Sequence, residues 1–151
     1  MTAPERRAAE QGWRFVHPDL DDPQRRGEPA GLQLHQGGIQ LVSGAALVRQ
    51  SLLMLISTRP GERVMRPEYG CHLSRLMFAP NDDTTAGLAI HYVRQAVERW
   101  EPRAAVLHLD AGRAPDAPQV LRLTFQYRVR GTRQEDHLRF ALNLGGEAGE
   151  R

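Results

Sequence analysis

From Ser43 onward, Ala45, Val48, Leu52 and Leu55 recur at the spacing of one helix face, and Pro60-Gly61 closes the run. The pattern predicts a helix over about Ser43 to Thr58, broken in its apolar character only by Arg49, Gln50 and Ser51, and therefore central to the fold. Arg63 to Tyr69 reads as a short extended piece bent at Pro67 and closed by Gly70, and Leu73, Leu76, Met77 and Phe78 as one or two helical turns before Pro80. Asp82 or Asp83 offers an N-cap to a second long helix with the stripe Ile90, Val93, Val97 and Trp100, which Pro102 ends. Glu101 precedes that proline and is pushed out of the helical region, so Glu101-Pro102-Arg103 is a corner from helix to strand.

Beyond the corner the period changes to two. Ala105, Leu107 and Leu109 are expected on one face of a first strand. In the next, Leu121, Leu123, Phe125, Tyr127 and Val129 alternate with Arg122, Thr124, Gln126, Arg128 and Arg130. Gly131-Thr132 turns the chain, and Leu138, Phe140, Leu142 and Leu144 alternate on the way back. The fold class predicted is α+β: two main helices packed on one face of a small, mostly antiparallel sheet whose other face is wet. The expected organisation is a disordered lead over 1–12, a single domain over 13–144 and a flexible tail over 145–151. Trp13 and Phe15 act as an ordered anchor before an irregular loop from His17 to Gly38.

Composition narrows the function more than it names it. A chain of 151 residues with 40% hydrophobic and 25% charged positions is one globular domain, too short for a multidomain enzyme. At this size folding buries roughly 70% of the unfolded surface, so neither disulfide nor metal is required. All 20 basic residues are Arg against 18 acidic ones, and a net charge of +2 argues against nonspecific phosphate neutralisation as the main task. Cys71 has no second cysteine to pair with, the six His show no metal-ligand spacing, and phosphate-loop and serine-elbow motifs are absent, so no cofactor is expected. The longest strongly apolar run, Leu52 to Ile56, is too short to span a bilayer, which together with the charged N-terminus predicts a chain made in the cytoplasm. Glu62, Glu68, Glu98 and Glu101 could supply the two acids that glycoside hydrolysis needs, although spacing along the chain does not measure their separation. Arg122, Arg128, Arg130 and Arg139 fall on the polar face of adjacent strands, a surface suited to acidic protein; without aromatic platforms it is poorly suited to nucleic acid.

The apolar helix ending in Thr58-Arg59-Pro60-Gly61-Glu62-Arg63, the Arg66-Pro67-Glu68-Tyr69-Gly70 turn, Leu76-Met77-Phe78 and Glu101-Pro102-Arg103 occur in an order that resembles the lysozyme-like baseplate wedge family of contractile tails. That family occurs in contractile phages, type VI secretion baseplates and extracellular injection particles. Gly12-Trp13-Arg14-Phe15 is similar to its aromatic start, with the expected proline displaced to Pro18. The resemblance implies a structural subunit whose fold is similar to the interlocking domain of sheath subunits. It would be bound to larger wedge proteins and sheath subunits, with spike or tube proteins nearby, in a sixfold arrangement without nucleic acid or membrane insertion. Glu101, Pro102, Arg103, Glu62 and Arg63 are then the expected docking residues, and Arg122, Arg128, Arg130 and Arg139 a sheath-facing sheet. The alternative is a peptidoglycan-cleaving, lysozyme-like enzyme of the tail.

Overall fold

The computed structural model describes residues 10–16 and 27–145. Short strands β1 (Gln11–Trp13), β2 (Phe15–Val16), β3 (Gly31–Leu32), β4 (Leu34–His35), β5 (Gly38–Ile39) and β6 (Leu41–Ser43) lead into α1 (Gly44–Ser57). After a loop and a 3-10 turn over His72–Leu76 come α2 (Asp83–Trp100) and the long strands β7 (Ala104–Ala114), β8 (Ala117–Val129) and β9 (Glu135–Asn143). The α+β expectation holds: β7-β8-β9 form one antiparallel sheet, with the buried face of its strands packed on the helices.

The long strands follow from alternation. Leu121, Leu123, Phe125 and Tyr127 of β8 are fully buried, and opposite them Leu142, Phe140 and Leu138 of β9 complete the inner face in an unbroken register. β7 departs from the sequence reading. Val106 pairs with Tyr127 and His108 with Gln126, so Leu107 is an extra residue that bulges and reverses the phase. Ala104 and Leu109 therefore face the core, while Leu107 is exposed and Ala105 lies on the wet side. A second irregularity near the β7–β8 turn leaves the carbonyls of Pro118 and Val120 outside the β7 ladder, and the Asn81 amide donates to both at 2.8 and 3.0 Å.

α1 is covered on several sides, as its nearly all-round apolar character requires. Leu52 and Leu55 enter the common core, whereas Leu47 meets Gly12 of the β1–β6 ribbon so closely that a Cβ there would lie 2.7 Å from Leu47 Cδ1. Arg49 and Gln50, two of the polar residues of α1, also face inward. Gln50 accepts from the Phe15 N–H at 2.8 Å and donates to the Trp13 carbonyl at 2.7 Å. Arg49, 7% exposed, donates to Asp136 Oδ2 at 2.7 Å and to the His137 carbonyl at 3.0 Å, while Tyr127 donates to the same Asp136 oxygen at 3.2 Å. Desolvation raises the Tyr127 phenol above its ordinary range, with the Asp136 charge adding to it.

α2 begins at Asp82, whose carboxylate accepts from the Thr85 N–H at 2.9 Å. Its inner face is shifted from the predicted stripe: Ala86, Ala89, Val93, Ala96 and Val97 are buried, while Ile90 and Trp100 are half-buried at its margin. Ser43 occupies the N-cap position of α1 without a side-chain bond. Gln11 and Gly12, expected in a disordered lead, belong to β1, and the irregular loop contains β3, β4 and β5 with a Gln36-Gly37 hairpin turn at positive φ. The remainder of the expected lead (1–9), part of the loop (17–26) and the tail beyond 145 lie outside the described residues.

Cys71 is 2% exposed, and burial pushes its thiol up to about 11. At pH 8 the native protein should resist a thiol reagent that labels the unfolded chain at once. Because the folded pKa is raised, the associated stability is intact below the ordinary thiol range and is lost as pH climbs towards 11. Fast labelling of native protein at pH 8 would refute this.

Candidate functional site

The corner after α2 is built by geometry that the chain dictates locally. Pro102 follows the helix C-cap and is exposed, while Glu101 is turned inward and is 5% exposed. Arg103 straddles its carboxylate in a fork: Nε donates to Oε1 at 2.6 Å and Nη2 to Oε2 at 2.9 Å. The same guanidinium reaches Glu10 Oε2 at 2.7 Å and Ser51 Oγ at 3.3 Å, so it ties the N-terminal lead, α1 and the end of α2 together. These bonds, that to Glu101 foremost, hold the Arg103 pKa above its ordinary value. Arg130 lies just past the end of β8, and its Nε donates to the Pro102 carbonyl at 2.8 Å while its N–H bonds the Arg103 carbonyl.

Glu62 and Arg63 are elsewhere. The reading of Arg63 to Tyr69 as an extended piece is replaced by a succession of tight turns, because backbone bonds Glu62–Arg59, Arg66–Arg63 and Tyr69–Arg66 close over three residues each. Glu62 Oε2 accepts from the Arg59 N–H at 3.0 Å. Arg63 stacks over the Tyr69 ring at 4.3 Å, and Tyr69 meets Trp100 edge-on at 5.4 Å. The expected docking residues thus divide between the corner and this loop.

The expected arginine face is also divided. Arg122 pairs with Asp116 at 3.2 Å and Arg128 with Glu135 at 2.6 Å, both exposed, and Asp110 lies opposite Thr124 in mid-sheet. Arg139 is exposed across from Thr124, whereas Arg130 serves the corner. The face is mixed in charge.

The edge of β9 was not singled out in the sequence. His137 gives its carbonyl to Arg49 and its N–H to the Asp136 carboxylate, so its backbone groups point away from β8. The two-residue alternation of an antiparallel ladder turns the backbone groups of Arg139, Ala141 and Asn143 the same way. Along this part of the edge runs a groove of about 170 Å3, lined by Ile56, Leu73, Met77, Phe140 and Leu142 together with the polar Ser57, Arg59 and Ser74. No helix of the described residues is long and apolar enough to cross a membrane.

Comparison with known proteins agrees with this arrangement. Baseplate wedge protein gp25 of Enterobacteria phage T4 is 38% identical over 60 residues, which are 40% of this chain and 46% of that protein, so the match spans less than half of the relative's length. A Geobacter sulfurreducens protein provisionally named a tail lysozyme shares 33% identity over 71% of this chain and 97% of its own, with a TM-score of 0.63. A chain of the six-fold symmetrised anti-feeding prophage baseplate has the same fold, at a TM-score of 0.54 and 21% identity over 93% of this chain and 90% of its own. The helix, turn and corner that position Glu101 and Arg103 all lie within residues 42–134, the span matched by the family model of baseplate wedge protein gp25, and the chain belongs to that family.

Proposed function

We propose that the chain is a structural wedge subunit of a contractile, phage-tail-like baseplate, which binds larger wedge proteins and templates the first sheath ring by accepting a strand. The observation that carries the templating is the edge of β9, where Arg139, Ala141 and Asn143 offer backbone groups beside a largely apolar groove with Arg59 at its margin. An incoming strand would gain main-chain bonds from the edge and set alternate side chains into the groove. The β7 edge is a poorer acceptor because Leu107 bulges out of register. Sixfold placement around a spike and tube would multiply each weak strand contact. Made in the cytoplasm, the subunit would work only once incorporated in the particle.

Peptidoglycan cleavage is the less favoured reading. Glu62 is held by the Arg59 N–H, Glu68 by Arg99 and Glu101 by Arg103, and Glu98 lines an open groove on α2 beside Arg94 and Arg99. No two of these acids face each other across a common cleft, as glycoside hydrolysis requires.

Ala141→Pro tests the edge, since it deletes an outward N–H without touching the β8–β9 ladder. The variant should keep its melting temperature within a few degrees and lose nucleation of sheath from purified sheath subunits, seen by electron microscopy, while no preparation clears peptidoglycan. Normal nucleation by a folded Ala141→Pro would refute strand acceptance. Clearing that disappears with Glu62→Gln, Glu98→Gln or Glu101→Gln would favour the enzyme.

A further inference from the structure

The loop between α1 and the 3-10 turn is closed at its base, where the Cys71 N–H bonds the Thr58 carbonyl at 2.9 Å. It is braced across its middle by the Gly61 N–H on the Pro67 carbonyl at 2.7 Å, by Arg63 stacked on Tyr69, and by the ion pair of Glu68 with Arg99. Such a loop, with ends together and internal bonds of its own, presents its tip in a fixed shape. At that tip stand Val64 and Met65, 93% and 91% exposed. Braced backbone around two large apolar side chains left in water is an arrangement in which the ordering cost of binding has already been met.

The charges around the tip say what would cover it. Its two acids are turned away, Glu62 to the Arg59 N–H and Glu68 to Arg99. Its flanking bases, Arg63 and Arg66, form no ion pair with the described residues. The tip is therefore apolar with a cationic margin.

We propose that residues 59–70 are a plug whose Val64-Met65 tip inserts into an apolar socket on a protein partner, with carboxylates at the socket rim meeting Arg63 and Arg66. This rests on the reading of the chain as a wedge subunit, because the partner is sought among the larger wedge proteins of the same particle. Apolar burial supplies the affinity and the arginines supply orientation and rate of encounter. The plug gives Glu62 and Arg63 their place in docking: one holds the loop base and the other shapes its margin.

The test uses the full chain and its purified larger wedge proteins in a titration followed by light scattering and surface binding. Val64→Ser/Met65→Ser should weaken binding on the order of 100-fold with an unchanged melting temperature, since neither side chain packs in the core. Arg66→Glu should weaken it by about tenfold or more and remove most of its salt dependence. Wild-type binding that both variants retain would overturn the plug alone. No binding by the wild-type chain would overturn the wedge reading and the plug with it. Tip-dependent self-association, or tip-dependent binding to anionic phosphatidylglycerol vesicles, in the absence of tip-dependent binding to wedge protein would overturn the proposal in favour of a second copy or a lipid surface.

Discussion

Arg103→Ala is expected to cost about 3–5 kcal/mol of folding stability, roughly 10 °C in melting temperature for a chain of this size. The loss is large because Glu101 stays behind: its side chain is 7% exposed, and both carboxylate oxygens are bonded by Arg103. Removing Arg103 takes both bonds from a carboxylate that is otherwise largely covered, and leaves its charge uncompensated. Arg103→Lys should fall between the two, since an ammonium cannot span both oxygens and still reach Ser51 and Glu10. Adding Glu101→Gln to Arg103→Ala should recover part of the loss by removing the stranded charge. If the corner is chiefly this lock, sheath nucleation should fall only in proportion to folded protein. Calorimetry and electron microscopy on the same samples check both statements, and a normal melting temperature for Arg103→Ala would refute the lock.

Gly70→Ala should be similarly damaging for a different reason. Gly70 sits at φ +138, and a Cβ there would lie 2.5 Å from the Thr58 carbonyl oxygen and 2.9 Å from Arg59 C and Pro60 N. All three atoms are backbone, so no side chain can swing aside. The unfavourable φ and the overpacking together cost about 3 kcal/mol or more. Thr58 is also the base of the 59–70 loop, so the substitution should loosen the plug as it destabilises the domain. Hydrogen exchange at Cys71 and Gly61 should rise more than exchange in β8. Uniform protection loss across the sheet would show instead that the loop and the body unfold together.

How much of this was legible depended on how local its cause was. Alternation in β8 and β9 and the cap at Asp82 are local, and they placed those elements close to where they are found. The bulge at Leu107 has no local cause: Ala104 to Leu107 is an unbroken apolar run that leaves the inward phase open, and the phase is set by pairing with Tyr127 and Gln126 some 20 residues away. The pairing of Glu101 with Arg103, two residues on, is local, whereas the stacking of Arg63 on Tyr69, which itself meets Trp100, depends on packing across the fold. Arg49 and Gln50 had a usable signal, two adjacent long polar side chains inside a largely apolar helix. What they bind, β9 and the β1–β6 ribbon, depends on long-range packing. Family resemblance supplied the corner as a site, while the open edge of β9 came from chain order in three dimensions.

The bulge in β7 has a consequence for how copies of this protein can meet. A sheet with two regular edges can pass a strand ladder from molecule to molecule without end, which is the route to fibres. Here one edge is regular and the other is interrupted at Leu107. Edge-to-edge pairing of identical copies can then join β9 to β9 once, after which only interrupted edges remain outward. The molecule is in this respect like a chain terminator: it can offer one growing end to a different protein while its own polymerisation stops at two.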